Sequence, residues 1–258
     1  MGRRAALNLL NRLGIVSLSI ACSDPVSGPN ESARPSAAVG VRATTPDLVG
    51  TGSTTADRPN AQTWSFEEGE GGRIPPGLEV FTVAGEPSAW SVSGHQFAHS
   101  PGRVLYVADA HDQDARFTGL LSEPRRNVRT SVYCTLEARR HNTVKLLPNP
   151  TGVCGVVTRF KDARNHVVAL ANAYDQTVTL TLVSNGQRKQ LGSSNIDPVS
   201  SLWHQLELEV NGDELVVSWD GRRMVSAKDA TILEEGRVGI WTHVNSLSNF
   251  DDFSVQSL

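Results

Sequence analysis

Apolar residues recur at every second position along much of the chain after Trp64. Val178, Leu180 and Leu182 alternate with threonines, and Leu206, Leu208 and Val210 alternate with Glu207 and Glu209. A period of two marks a half-buried strand, one face on a core and the other on water. Leu215, Val217 and Trp219 repeat the pattern, and Val238 with Ile240 and Phe253 with Val255 mark two later strands. Turn residues separate these runs. Asn185-Gly186 closes a two-residue hairpin, because both residues tolerate positive φ. Asn211-Gly212-Asp213 and Asp220-Gly221 punctuate the next strands. Turn signals spaced roughly 8–12 residues apart predict an all-β fold, an antiparallel two-sheet β-sandwich. No segment has a helical period, although Ala227 to Leu233 has room for one helical turn, and no internal repeat is visible.

The N-terminal stretch has neither period. Arg3, Arg4 and Arg12 precede a short apolar run, Leu13 to Ala21. A transmembrane helix needs about 20 apolar residues, so this run is too short to span a bilayer and reads as a signal peptide over residues 1–21. Ser19 and Ala21 are small, which places cleavage before Cys22. Leu18-Ser19-Ile20-Ala21-Cys22 also resembles a bacterial lipobox, with Ser19 where the pattern prefers Leu. That resemblance implies lipidation of Cys22, plain secretion being the alternative. Residues 22–60 are rich in Ser, Pro, Thr, Gly and Ala and read as a flexible linker, because they cannot bury enough apolar surface to offset ordering. The folded domain is expected over residues 61–258, in the bacterial cell envelope or outside the cell.

Charge and cysteine content narrow the reading. The net charge of the 258 residues is −3, and the Arg pairs at 125–126, 139–140 and 222–223 are scattered, so no basic stripe points to a nucleic acid. With Cys22 at the new N-terminus, Cys134 and Cys154 remain, each in a strand-like run. An oxidising compartment permits a disulfide between them. Neighbouring antiparallel strands would bring the sulfurs together, and two buried thiols are the alternative.

The second half of the chain carries a more specific pattern. Leu202-Trp203-His204-Gln205-Leu206, Trp219-Asp220-Gly221, Asp229, Gly236 to Thr242 and Phe250-Asp251-Asp252-Phe253 follow Gly155 to Asp162 and the Val183-Ser184-Asn185-Gly186 hairpin. Together these resemble the laminin-G-like, concanavalin A-like lectin/glucanase superfamily. Bacterial exported domains of the 3-keto-disaccharide hydrolase or family 16 glycoside hydrolase-like type are the branch most similar to it. The resemblance covers about residues 61–258. It implies a jelly roll of two curved sheets with any glycan on the concave face. After Asp162 such domains tend to carry a tyrosine pair, where this chain has Asn165-His166-Val167-Val168.

Candidate chemistry follows from that resemblance. The Glu-x-Asp-x-x-Glu motif of true family 16 hydrolases is absent, and Glu67-Glu68-Gly69-Glu70 has the wrong spacing for a catalytic pair. Arg159, His166 and Tyr174 are the residues from which a lyase set would have to be assembled. The closing strand resembles that of carbohydrate-binding modules in which its acid and one near the first strand share a structural Ca²⁺. This implies Glu67, or Glu68, with Asp251 or Asp252. Phe253 and Val255 share parity with Asp251, which favours Asp251 as the inward residue unless a bulge intervenes. Among the tryptophans, Trp203 and Trp219 read as core. Trp241 breaks parity with Val238 and Ile240, so it is expected on the opposite sheet face as a sugar-stacking platform. His243, Arg159, His166 and Asn172 are its expected companions.

Three readings result. The first is an exported, lipid-anchored carbohydrate-binding domain that meets a polysaccharide, touches the membrane only through its anchor and has no catalytic motif. The second is a glycan hydrolase or lyase. The third is a laminin-G-type structural or protein-interaction module.

Overall fold

The computed structural model describes residues 60–68, 71–83, 88–107, 117–136, 152–197, 203–243, 246 and 248–258. The expected signal peptide, Cys22 and all of the linker but Asn60 lie outside the described residues. The strands are β1 (Ala61–Trp64), β2 (Glu79–Thr82), β3 (Trp90–His95), β4 (Gly102–Val107) and β5 (Phe117–Arg125). Next come β6 (Val128–Thr135), β7 (Val153–Asp162), β8 (Asn165–Asn172), β9 (Thr177–Ser184) and β10 (Gln187–Asn195). The last are β11 (Trp203–Asn211), β12 (Glu214–Trp219), β13 (Arg222–Lys228), β14 (Gly236–His243) and β15 (Asn249–Ser257). No helix occurs among the described residues. The segment from Ala227, read as a possible helical turn, instead starts as the end of β13.

Two antiparallel sheets pack face to face. One runs β13-β12-β11-β6-β15-β4-β3, with β1 also paired to β15, and the other runs β10-β9-β8-β7-β14-β5-β2. The turn chemistry explains the hairpins. Asn185 and Gly186 have φ of 52° and 82°, and Asp220 and Gly221 have 49° and 74°, the doubly left-handed geometry that two-residue hairpins favour. The alternating residues point as expected: Leu206, Leu208 and Val210 enter the core between the sheets, as do Val178, Leu180 and Leu182.

The second sheet differs, because it is apolar on both faces. Val156, Val167, Ala169 and Ile240 face the main core, whereas Leu121, Val157, Phe160, Val168 and Trp241 form a separate cluster on the outer face. A strand covered on both sides reads as a continuous apolar run, which is how Val167 to Leu170 reads.

Cys134 and Cys154 form a disulfide with Cα atoms 6.3 Å apart, and both are fully buried. The expectation placed them on neighbouring strands of one sheet. Instead β6 belongs to the first sheet and β7 to the second, so the bridge crosses the core and ties the two layers. Titration of the denatured, unreduced protein should therefore find at most one thiol, that of Cys22, and three thiols would refute the bridge. Reduction should lower the unfolding free energy by about 3 kcal/mol, read from the urea midpoint.

Candidate functional site

The outer face of the second sheet is curled. The guanidinium carbon of Arg188, on β10 at one edge, lies 5.4 Å from the centre of the Phe117 ring on β5. Five strand spacings separate β10 from β5, about 24 Å on a flat sheet, which the two side chains together could not bridge. The sheet must bend towards this face, so the face is concave.

A row of paired residues crosses it. Phe81 pairs with Gly119, Gly119 with Trp241, Trp241 with Gly155, Gly155 with Leu170 and Leu170 with Thr179. Directly paired residues project on one face, so the indole of Trp241 has a glycine on each side. A Cβ on Gly155 would stand 2.7 Å from the Trp241 carbonyl oxygen and 3.1 Å from its Cβ, and one on Gly119 would stand 3.0 Å from Trp241 Cε3. The two glycines leave the space the indole fills.

Trp241 sits on the expected face but does not form an exposed platform. It is only 1% exposed, ringed by Phe81 and Phe117 at 6.0 Å, Phe160 at 5.9 Å and His166 at 5.2 Å. The rings nearer to solvent are Phe81 and Phe117, both partly exposed. Sequence reading missed them as site residues. The signal was there in the alternation of Phe81 with Val83 and in Phe117 two residues before Gly119. Beside the rings, Thr177, Thr179 and Thr181 lie half-buried at alternate positions of β9, on the face opposite Val178, Leu180 and Leu182.

His166 lies on the same face, paired through Val183 to Arg188. It is buried, with Nδ1 3.3 Å from the Asp162 carbonyl oxygen, so Nδ1–H donates there. The neutral ring then leaves an acceptor lone pair on Nε2, which has no hydrogen-bond partner. Burial pushes the imidazole pKa below 6.5, the Asp162 carbonyl pulls it back up, and the positive charge of Arg188 lowers it further.

The other expected companions are dispersed. His243 is half-buried at the end of β14, with its ring edge-on to Phe117 at 5.3 Å. Asn172 builds the β8–β9 turn: its Oδ1 accepts from Tyr174 N at 2.8 Å and its Nδ2 donates to Asp175 at 2.8 Å. Arg159 is not a glycan ligand. Its φ is +49°, it is 1% exposed, and its guanidinium donates to the carbonyl oxygens of Ile232 and Gly212. It fastens the second sheet to the β11–β12 turn of the first. The Arg159, His166 and Tyr174 set does not assemble either. Tyr174 is exposed in the turn after β8, and the strand from His166 to Asn172 alone spans about 20 Å.

The residues expected to hold calcium do not converge on one site among the described residues. Asp251 is buried and accepts from Ser100 N at 2.8 Å, Ser100 Oγ at 3.0 Å and Asp252 N at 2.8 Å. Burial pushes its carboxyl pKa up, and the Ser100 N–H pulls it back down. Glu67 accepts from Arg103 N at 2.9 Å, and Asp252 lies 2.7 Å from His99 Nδ1. These oxygens already take N–H and O–H donors, and no three His, Cys, Asp or Glu side chains converge among the described residues. Parity also misled. Asp251 pairs with Tyr133, away from the core, and a bulge at Asp252, φ +44°, returns Phe253 to the core.

Trp219 is core, as expected, stacked with His204 at 4.8 Å. Trp203 is not. It pairs with Thr135 on the face away from the core, donates to the Phe97 carbonyl and meets His99 edge-on.

No protein-family model matches the chain, and no curated protein matches it. Solved structures do. A β-glucanase from Bacillus licheniformis superposes with a TM-score of 0.50 at 10% identity, over 78% of this chain and 99% of that one. The fold is the concanavalin A-like sandwich. Further out, a carbohydrate-binding module from Bacillus subtilis gives 0.46 at 17% identity, over 69% of this chain and 92% of that one. A galectin from Caenorhabditis elegans gives 0.40 at 10% identity, over 51% and 84%. Within this sandwich fold, the face just described is the concave one.

The burial of His166 makes a pH prediction. A histidine whose folded pKa is depressed contributes stability above the unfolded value of 6.5, and that contribution is lost as pH falls through the window below it. The stability difference between the native protein and His166→Leu should therefore shift in favour of the variant on acidification below about 6.5. Denaturant melts of both at neutral and acid pH measure it. An NMR titration midpoint for His166 at or above 6.5 would contradict the burial account.

Proposed function

We propose that this chain is an exported carbohydrate-binding domain, residues 61–258, carried on a tether of residues 22–60 after removal of residues 1–21, and held to the bacterial envelope through a lipid on Cys22. The glycan lies against the concave face of the second sheet. The observation that carries this reading is the amphipathic character of that face. Phe81 and Phe117 present ring surface, and the half-buried Thr177, Thr179 and Thr181 present hydroxyls. A sugar ring offers the complement, an apolar C–H face and a rim of hydroxyls, and sites of this kind combine aromatic walls with a few polar groups. A disulfide spanning the core fits an oxidising compartment. The reading is binding without turnover, because the two carboxylates that glycoside hydrolysis requires have no Glu-x-Asp-x-x-Glu motif here.

Phe117→Ala should weaken retention on the bound polysaccharide roughly tenfold, about 1.4 kcal/mol, and, because this half-buried ring packs on Trp241, should lower the thermal midpoint by less than Trp241→Ala does. Trp203→Ala, on the other sheet, should leave retention intact. Trp241→Ala is the wrong test, since removing a buried indole costs about 3–5 kcal/mol and would report folding instead. Affinity electrophoresis against a polysaccharide panel, with melts of the same samples, reads all three. Equal loss in Trp203→Ala and none in Phe117→Ala would move the site to the other face.

A further inference from the structure

The basic side chains of the second sheet are almost all committed. Arg237 donates to Glu79 at 2.8 Å and to the carbonyls of Leu121 and Ser122. Lys161 pairs with Glu234 at 3.1 Å and Lys189 with Asp229 at 2.9 Å. Arg164 donates to the Asn185 carbonyl at 3.1 Å, and Arg159 is held inside the sandwich. Arg188 is different. It is exposed, and its contact among the described residues is the Phe117 ring, 5.4 Å away. A guanidinium lying on an aromatic face keeps its N–H fork free, and that fork matches the paired oxygens of a carboxylate or sulfate. Arg188 also stands in register with His166 through Val183, so its charge and the orphaned imidazole acceptor belong to one corner of the concave face.

Resting on the proposed glycan-binding reading, we infer that the ligand is an acidic polysaccharide. Its carboxylate or sulfate takes the Arg188 fork over Phe117. The guanidinium offers fixed N–H donors and no acceptor, which selects an anion. A neutral glycan would leave the cation unused. An acidic peptide would satisfy the cation and lacks the ring face and hydroxyls that the rest of the surface suits.

The test uses the full chain and four polymers: polygalacturonate, dextran sulfate, neutral dextran and polyglutamate. Retention on polygalacturonate or dextran sulfate should exceed that on dextran and polyglutamate, and should weaken with added salt as charge is screened. The acidic arm that binds identifies carboxylate or sulfate as the anion. Arg188→Gln should cost roughly tenfold on that arm, the size expected of one charge-assisted contact, with Arg188→Lys recovering part of it. Lys189→Gln removes the same charge one residue away and should change nothing. The inference falls if Arg188→Gln binds like the native protein, if Lys189→Gln loses as much, or if polyglutamate is retained as well as the acidic glycans. Retention of dextran alone, lost in Phe117→Ala and unaffected in Arg188→Gln, overturns the acidic ligand and leaves glycan binding standing. No retention on any polymer counts against both.

Discussion

The indole of Trp241 lies in a slot that exists because its two cross-strand neighbours, Gly119 and Gly155, carry no side chain. That one contact organises the outer face of the second sheet. It lets the largest side chain of β14 lie among its neighbours' rings, so that Phe81, Phe117, Phe160 and His166 close around it. The resulting cluster is a second, smaller core on the outside of the sheet. It supports the rings nearer to solvent, and through Phe117 it gives Arg188 a surface to rest on. An alanine at either glycine would press on the backbone or indole of β14, where overpacking costs about 1–3 kcal/mol.

Two fasteners hold this sheet to its partner. The Cys134–Cys154 bridge joins β6 to β7 through the core, and Arg159 reaches from the same β7 to the carbonyls of Gly212 and Ile232. Both leave from β7, next to the strand that carries Trp241. The aromatic cluster therefore stands on a strand tied at two points to the opposite layer, and a preorganised face loses less freedom when a ligand settles on it.

Much of the fold was legible in the chain. The hairpins at Asn185-Gly186 and Asp220-Gly221 are set by residues that accept positive φ, and β9, β11 and β12 are set by alternation. Less of the site was legible. Strands buried on both faces, such as β7 and β8, have no polar face to reveal which side a residue takes. Irregular backbone then undid parity where it was used. The bulge at Asp252 placed Asp251 on the outer face, and the left-handed φ of Arg159 turned an apparent surface cation inwards. Trp203 looked like core from its motif, yet its pairing with Thr135 puts it outside. Arg188 gave no local signal, because its meeting with Phe117 depends on the curl of a whole sheet.

The decisive question is where a glycan touches the chain. Amide hydrogen exchange of the full protein, with and without saturating polygalacturonate, reads that directly. New protection is predicted in β5, β8 to β10 and β14, the strands that carry Phe117, His166, the threonine row, Arg188 and Trp241. Protection confined to β3, β6 and β11, around Phe97, Tyr133 and Trp203, would place the ligand on the opposite sheet and contradict the concave-face reading.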